Sequence, residues 1–195
     1  MDLLYCYICG ANKKTQIEMK KTLLLLAAPA LLFLFSCGNS KKEESAESMP
    51  GMAEVNFKIN GNNLSMMIPD STKGKTELVE QSWGATEIKK VGTGFQISIE
   101  EGEGDMALIK ADITGNPVFK LQRYLKDEPG FLFWETKNAD LPGPRLHFYL
   151  ITKIGTVSYV IKDIDNGDAN NEKTVQTMID AAKTLKAKVQ AKANS

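Results

Sequence analysis

The chain has a single histidine, His147. A Ser/His/Asp or Cys/His relay needs an imidazole base, so any such relay must run through it. His147 lies in an apolar stretch, Arg145 to Thr152, that reads as a strand. Alternation puts it on a face with Arg145 and Tyr149, opposite Leu146, Phe148 and Leu150. No partner motif accompanies it, and the patterns GxSxG, HExxH and GxxxxGK[ST] do not occur. The expected role is therefore a half-buried strand residue, not a catalytic base. Two acidic groups have the ligand type for calcium. Asp163, Asp165, Asn166, Gly167 and Asp168 begin like an EF-hand loop, but the glycine comes one place early and Thr174 stands where a bidentate Glu is needed. Glu100, Glu101, Glu103 and Asp105 precede a short helix, where carboxylates also suit the helix dipole. Neither group is expected to hold a metal. Trp83, Tyr124, Trp134, Tyr149 and Tyr159 could line a ligand groove, though aromatics at strand spacing serve sheet packing first.

The cysteines carry a clearer message. Cys6, Cys9 and Cys37 all precede residue 38, so the remainder has neither a disulfide framework nor a thiolate metal site. Cys6 and Cys9 have CxxC spacing, but no second pair follows. Cys37 ends a patterned segment: Lys20 and Lys21, then an apolar run from Leu23 to Phe35, then Leu34, Phe35, Ser36, Cys37 and Gly38. That run spans only about 20 Å as a helix, short of the roughly 30 Å hydrocarbon core, and Pro29 interrupts it. It reads as a secretory signal rather than a membrane-spanning helix. Its end resembles the lipobox of bacterial lipoproteins: aliphatic Leu34 at −3, small Ser36 at −1, then the cysteine, with Phe35 at −2 bulkier than usual. The resemblance covers about 20 residues. It implies cleavage before Cys37, diacylglycerol on its sulfur and acylation of its new amine with a chain such as palmitate. Two or three acyl chains, at about 0.8 kcal/mol per buried CH₂, anchor stably where one binds marginally. The implied partner is a membrane reached through Cys37. The implied address is the bacterial cell envelope, at the outer membrane on its periplasmic or surface side.

Four segments follow from this. Residues 1–18 precede the signal awkwardly and read as a gene-model extension, with Met19 as the initiator. Residues 19–36 are the signal, and 37–53 are a polar linker that cannot bury enough surface to offset its ordering entropy. Residues 54–195 form one domain. Lys+Arg and Asp+Glu are both 24, and from Gly38 onward the balance is slightly acidic, so no nucleic-acid partner is expected.

Within the domain the pattern is mostly period two. Val55, Phe57 and Ile59 alternate, as do Leu64, Met66 and Ile68, with Asn60 and Gly61 between them as turn residues. Weaker strands are predicted over 77–81 and 86–91, a further one through Phe95, Ile97 and Ile99, and a short helix over 104–114. Hairpins follow around Pro129-Gly130 and around 153–155, the second made of the most apolar strands and therefore central. At the end, Val175, Met178, Ile179, Ala182, Leu185 and Val189 predict one amphipathic helix of about five turns, capped by Asn170 or Asn171. The expected class is α+β: a mostly antiparallel sheet of hairpins, with a short middle helix and a long C-terminal amphipathic helix packed on it. That element order is loosely similar to the PsbP/Mog1-like α/β sandwich, a likeness carried by no motif, so it implies no site or activity. No cofactor is expected. The leading functional reading is a non-catalytic binding or interaction domain for a protein or a small apolar ligand. A carboxylate-based envelope hydrolase and a structural partner in an envelope assembly are the alternatives. A cleft holding two acids would favour the hydrolase, and an apolar groove or open strand edge would favour binding.

Overall fold

Turn chemistry sets the first hairpin. In the computed structural model, which describes residues 49–164 and 171–188, strand β1 (Met52–Ile59) pairs antiparallel with β2 (Asn62–Pro69) from Met52↔Pro69 to Ile59↔Asn62. The two residues left between them, Asn60 (φ 48°) and Gly61 (φ 83°), both take the positive φ that a two-residue primed turn requires. A 3-10 turn at Ser71–Lys73 then leads into β3 (Thr76–Glu80), β4 (Thr86–Lys90) and β5 (Gln96–Glu101). Helix α1 (Met106–Gly115) is started by Asp105, whose carboxylate accepts the Ala107 and Leu108 amides at 2.9 Å. Strands β6 (Lys120–Glu128), β7 (Phe131–Lys137), β8 (Pro144–Ile154) and β9 (Val157–Asp163) form two successive hairpins. Helix α2 (Glu172–Ala182) is capped by Asn171, and a two-residue strand, β10 (Lys186–Ala187), follows it.

The strands make two sheets. One has the order β1-β2-β10, and the other β3-β4-β5-β9-β8-β7-β6, with antiparallel pairing throughout the described strands. As the sequence predicts, β8 and β9 are interior strands covered on both faces. On one face Leu146, Phe148, Tyr159 and Ile161 meet Phe57, Leu64 and Met66 of the small sheet and Val175, Met178 and Ile179 of α2. On the other face Leu132, Tyr149 and Val160 lie under Ile113, Ile109 and Met106 of α1. Both cores lie within the unit Ser45–Ser195. No helix among the described residues is long and apolar enough to cross a membrane.

The α+β expectation is corrected by these elements. Among the described residues the domain is mostly β, with two sheets and two short helices, and no long C-terminal helix. The first half of the predicted stripe holds: Val175, Met178, Ile179 and Ala182 are all buried on one side of α2. The helix then stops at Ala182. Thr184 N–H bonds back to Ala181 and Leu185 N–H to Ala182, which tightens the last turn. The Thr184 hydroxyl oxygen accepts the Met67 amide at 2.8 Å. Lys186 then pairs with Ser65 and Ala187 with Leu64. The physical reason is the open edge of β2, whose unpaired amides and carbonyls offer the chain more than another helical turn would. Leu185 is buried all the same, so apolar spacing alone does not separate the two outcomes. Val189 lies outside the described residues. The element order differs in this respect from that of the PsbP/Mog1-like sandwich, which has a long terminal helix.

Candidate functional site

A cleft of about 480 Å³ opens where the polypeptide enters β1. Met49, Pro50 and Met52 form one wall, Pro69 and Lys73 the next, Thr93 and Phe95 the floor, and Lys173, Thr177 and Asp180 the wall opposite. Each element is fixed by local bonds. Met52 N–H donates to the Met49 carbonyl and Asp70 N–H to Gly51, both at 3.0 Å, which ties the incoming chain to the end of β2. Asp70 then caps the 3-10 turn, accepting the Thr72 amide at 2.9 Å, and so places Lys73 at the rim. The Asp70 carboxyl is held below its usual range first by the Thr72 hydroxyl and further by the nearby charges of Lys73 and Lys90. Thr93 bonds back to the Lys90 carbonyl, and its hydroxyl accepts the Phe95 amide at 3.2 Å, which sets the floor. On α2, Lys173, Thr177 and Asp180 are spaced i, i+4, i+7 and so share one face. The cleft thus combines apolar walls with a few polar groups at its rim, the usual make-up of a small-molecule site, and its volume falls within the common range of about 300–1,000 Å³.

The second constellation is buried. His147 Nδ1 lies 2.8 Å from Asp163 Oδ2, and its Nε2 lies 3.2 Å from Thr136 Oγ1. Its ring stacks on Trp134, its cross-strand neighbour, with centroids 5.4 Å apart. Alternation had placed His147 correctly, on the Tyr149 face and opposite Leu146, Phe148 and Leu150. The partner Asp163 carries no motif, yet the β8–β9 register brings it alongside. Tyr149 pairs with Lys162, so Asp163 falls beside Phe148 and His147. Its other carboxylate oxygen accepts the Phe148 amide at 2.8 Å, in place of a backbone carbonyl. The geometry of Asp163, His147 and Thr136 is that of a relay to a hydroxyl. But Thr136 is only 4% exposed and His147 8%, so no substrate carbonyl reaches the hydroxyl in this arrangement. What the cluster does here is satisfy buried polar groups between strands.

The acidic group ahead of α1 does not converge. Glu100 pairs with Lys162 at 2.9 Å, Glu101 accepts the Asn60 amide, Glu103 accepts the Ser158 hydroxyl, and Asp105 caps the helix. Gly104 makes this turn possible. At φ 66° it passes so close to β8 that a Cβ would lie 2.7 Å from Ile151 Cδ1. Among the described residues, no three His, Cys, Asp or Glu side chains gather as metal ligands. Of the other acidic stretch, Asp165, Asn166, Gly167 and Asp168 lie outside the described residues. The aromatics do not share a groove. Tyr159 packs in the first core, Tyr149, Tyr124 and Trp134 in the second, and Trp83 is 65% exposed at the β3–β4 turn. Burial raises the pKa of Tyr159, Tyr149 and Tyr124. Leu34, Phe35, Ser36, Cys37 and Gly38, which resemble a lipobox, lie outside the described residues, as do Cys6 and Cys9. Sequence reasoning did not find the cleft, because its lining comes from separate segments that share no motif. No protein-family model matches the chain, and no curated protein matches it.

Proposed function

We propose that the chain is the precursor of a lipid-anchored protein of the bacterial cell envelope, whose domain binds a small, partly apolar ligand. The anchor half of this reading rests on the signal pattern and the lipobox-like residues 34–38. The binding half rests on one observation, the cleft formed by Met49, Met52, Pro69 and Phe95 beneath the first turns of α2. Its position suits a tethered binder, since the proposed linker from Cys37 leads to the wall that Met49 begins. A hydrolase reading would draw on Asp163, His147 and Thr136, but their burial favours a structural role. The Glu54 and Asp70 carboxyls are held below their usual range, which is the wrong direction for a general acid.

Mass spectrometry of the membrane-extracted protein tests the anchor. The mature chain is expected to start at Cys37 carrying diacylglycerol, and Cys37→Ala should leave the protein unprocessed or release it from the membrane fraction. An unmodified Cys37 sinks the anchor. For the cleft, Thr177→Trp fills the space from α2 without touching the core. It should abolish displacement of a bound apolar fluorophore while leaving the melting temperature unchanged, and binding unaltered by this change would sink the cleft.

A further inference from the structure

We infer that β3 is a self-association edge, along which two copies of this chain join their large sheets antiparallel about a two-fold axis at Leu78. Among the described residues β3 is an outer strand of that sheet and pairs with β4 alone. The Val91 amide donates to the Lys75 carbonyl and the Gln81 amide to that of Ala85. Alternation then turns Glu77 and Val79 toward β4 and leaves the amides and carbonyls of Thr76, Leu78 and Glu80 facing outward. The opposite edge, β6, is blunted by two register shifts and by Lys120, Arg123 and Lys126. β3 has an unbroken register and no proline, and its Leu78 and Val79 are 45% and 40% exposed.

A second copy suits this edge because the edge complements itself. Outward groups pair only with outward groups, so the register that uses all three sets Leu78 against Leu78 and Thr76 against Glu80. Leu78 lies across from Ile88 of the first core, so the leucine pair extends that core over the junction. The Thr76 hydroxyl takes the Lys90 ammonium at 3.0 Å, and Lys90 is 2% exposed. The register therefore brings the exposed Glu80 of each copy beside that ammonium in the other. Glu87 and Lys89 neutralise each other at 2.8 Å. What remains at the start of the strand is Lys73, Lys75 and Lys90 against Asp70 and Glu77, and at its end Glu80 alone. Antiparallel pairing lays the positive start over the negative end twice, whereas parallel pairing sets like against like.

Analytical ultracentrifugation of the full-length protein in density-matched non-ionic detergent, over a range of protein concentrations, tests this together with hydrogen exchange at the same concentrations. The wild type should show a reversible monomer–dimer equilibrium. The Leu78 and Glu80 amides should exchange more slowly as concentration rises, while those of Glu77 and Val79 are slow throughout. Leu78→Lys sets like charges across the axis and should weaken the dimer about tenfold or more. Glu80→Gln, at an exposed position, should weaken it about threefold and reduce its salt dependence. Both variants should keep the melting temperature of the dilute wild type. A wild type that stays monomeric at every concentration would overturn the proposal. So would a dimer that Leu78→Lys leaves intact, which would use another surface. Protection of Leu78 and Glu80 that does not depend on concentration would overturn it too, because the chain would then cover its own edge.

Discussion

Replacing Thr184 by Val tests the least expected feature of the fold, the early end of α2. Valine keeps the shape of threonine and removes only the hydroxyl, and the two have similar helix propensities. In the structure that hydroxyl accepts the Met67 amide at 2.8 Å and donates to the Ala181 carbonyl at 2.6 Å. Met67 is 9% exposed and its amide lies on the β2 edge that β10 covers, so water replaces the lost acceptor poorly. The net hydrogen bond is worth about 1 kcal/mol, and an orphaned buried amide costs about 1–3 kcal/mol. A loss of about 1.5–3 kcal/mol follows. At roughly 2–4 °C per kcal/mol for a domain of this size, the melting temperature should drop by about 3–12 °C. Urea unfolding gives the free energy, and an unchanged slope confirms that the folded state keeps its extent. Hydrogen exchange at Met67 should accelerate more than at Leu64 or Ser65. Had the helix run on to Val189, as apolar spacing predicts, Thr184 would be an ordinary helical position and the change would be nearly neutral. A loss below about 0.5 kcal/mol, with Met67 exchange unaltered, therefore refutes the docked turn and the β10 pairing.

Three further substitutions probe other parts of the argument. Ile179→Asp puts a carboxylate at a 1% exposed position between α2 and both sheets. It should cost several kcal/mol, comparable to a whole domain's margin of about 5–15, and abolish the cooperative thermal transition; normal folding would show that α2 is not docked. His147→Gln cannot span both Asp163 and Thr136 and loses the stack on Trp134. It should cost about 1–3 kcal/mol in urea unfolding while leaving ligand affinity in the cleft unchanged, and a lost activity in a fully stable variant would instead restore the relay reading. The Glu54 pKa is lowered from 4.5, chiefly by its hydrogen bond to Lys186, so the pair stabilises the fold above that value and loses its effect as pH falls through the lower folded value. Both side chains are more than a third exposed, so the contribution is a few tenths of a kcal/mol at most. Glu54→Gln should flatten only that small part of the stability profile below about pH 4.5, and a larger change would mean the pair does more than its exposure allows.

Where a feature depended on neighbours in the chain, the sequence showed it. Period-two runs and paired turn residues located both the β1–β2 hairpin at Asn60-Gly61 and the β8–β9 hairpin, and the short helix expected over 104–114 is α1, which Asp105 caps. The end of α2 was not legible, because Leu185 is buried whether or not it is helical. What decides its conformation is the open edge of β2, more than a hundred residues earlier. The cleft was illegible for the same kind of reason, since Met49, Pro69, Phe95 and Thr177 meet only once the small sheet and α2 are stacked on the large one.

The His147 cluster lies between these cases, and its logic is structural before it is chemical. In an antiparallel hairpin that turns between Ile154 and Val157, residue numbers across the ladder have a constant sum, so Asp163 must arrive beside Phe148. The ladder ends at the pair Tyr149↔Lys162, which leaves the Phe148 amide in need of an acceptor at a fully buried residue. A carboxylate can accept that amide with one oxygen and the imidazole with the other, and Asp163 does both at 2.8 Å. An apolar residue at 163 would leave two buried donors unmet, and so would a serine, which has one oxygen and reaches less far. Aspartate there therefore suits the ladder end itself. The relay-like line from Asp163 through His147 to Thr136 follows from filling a gap between strands, with no need for a substrate to explain it.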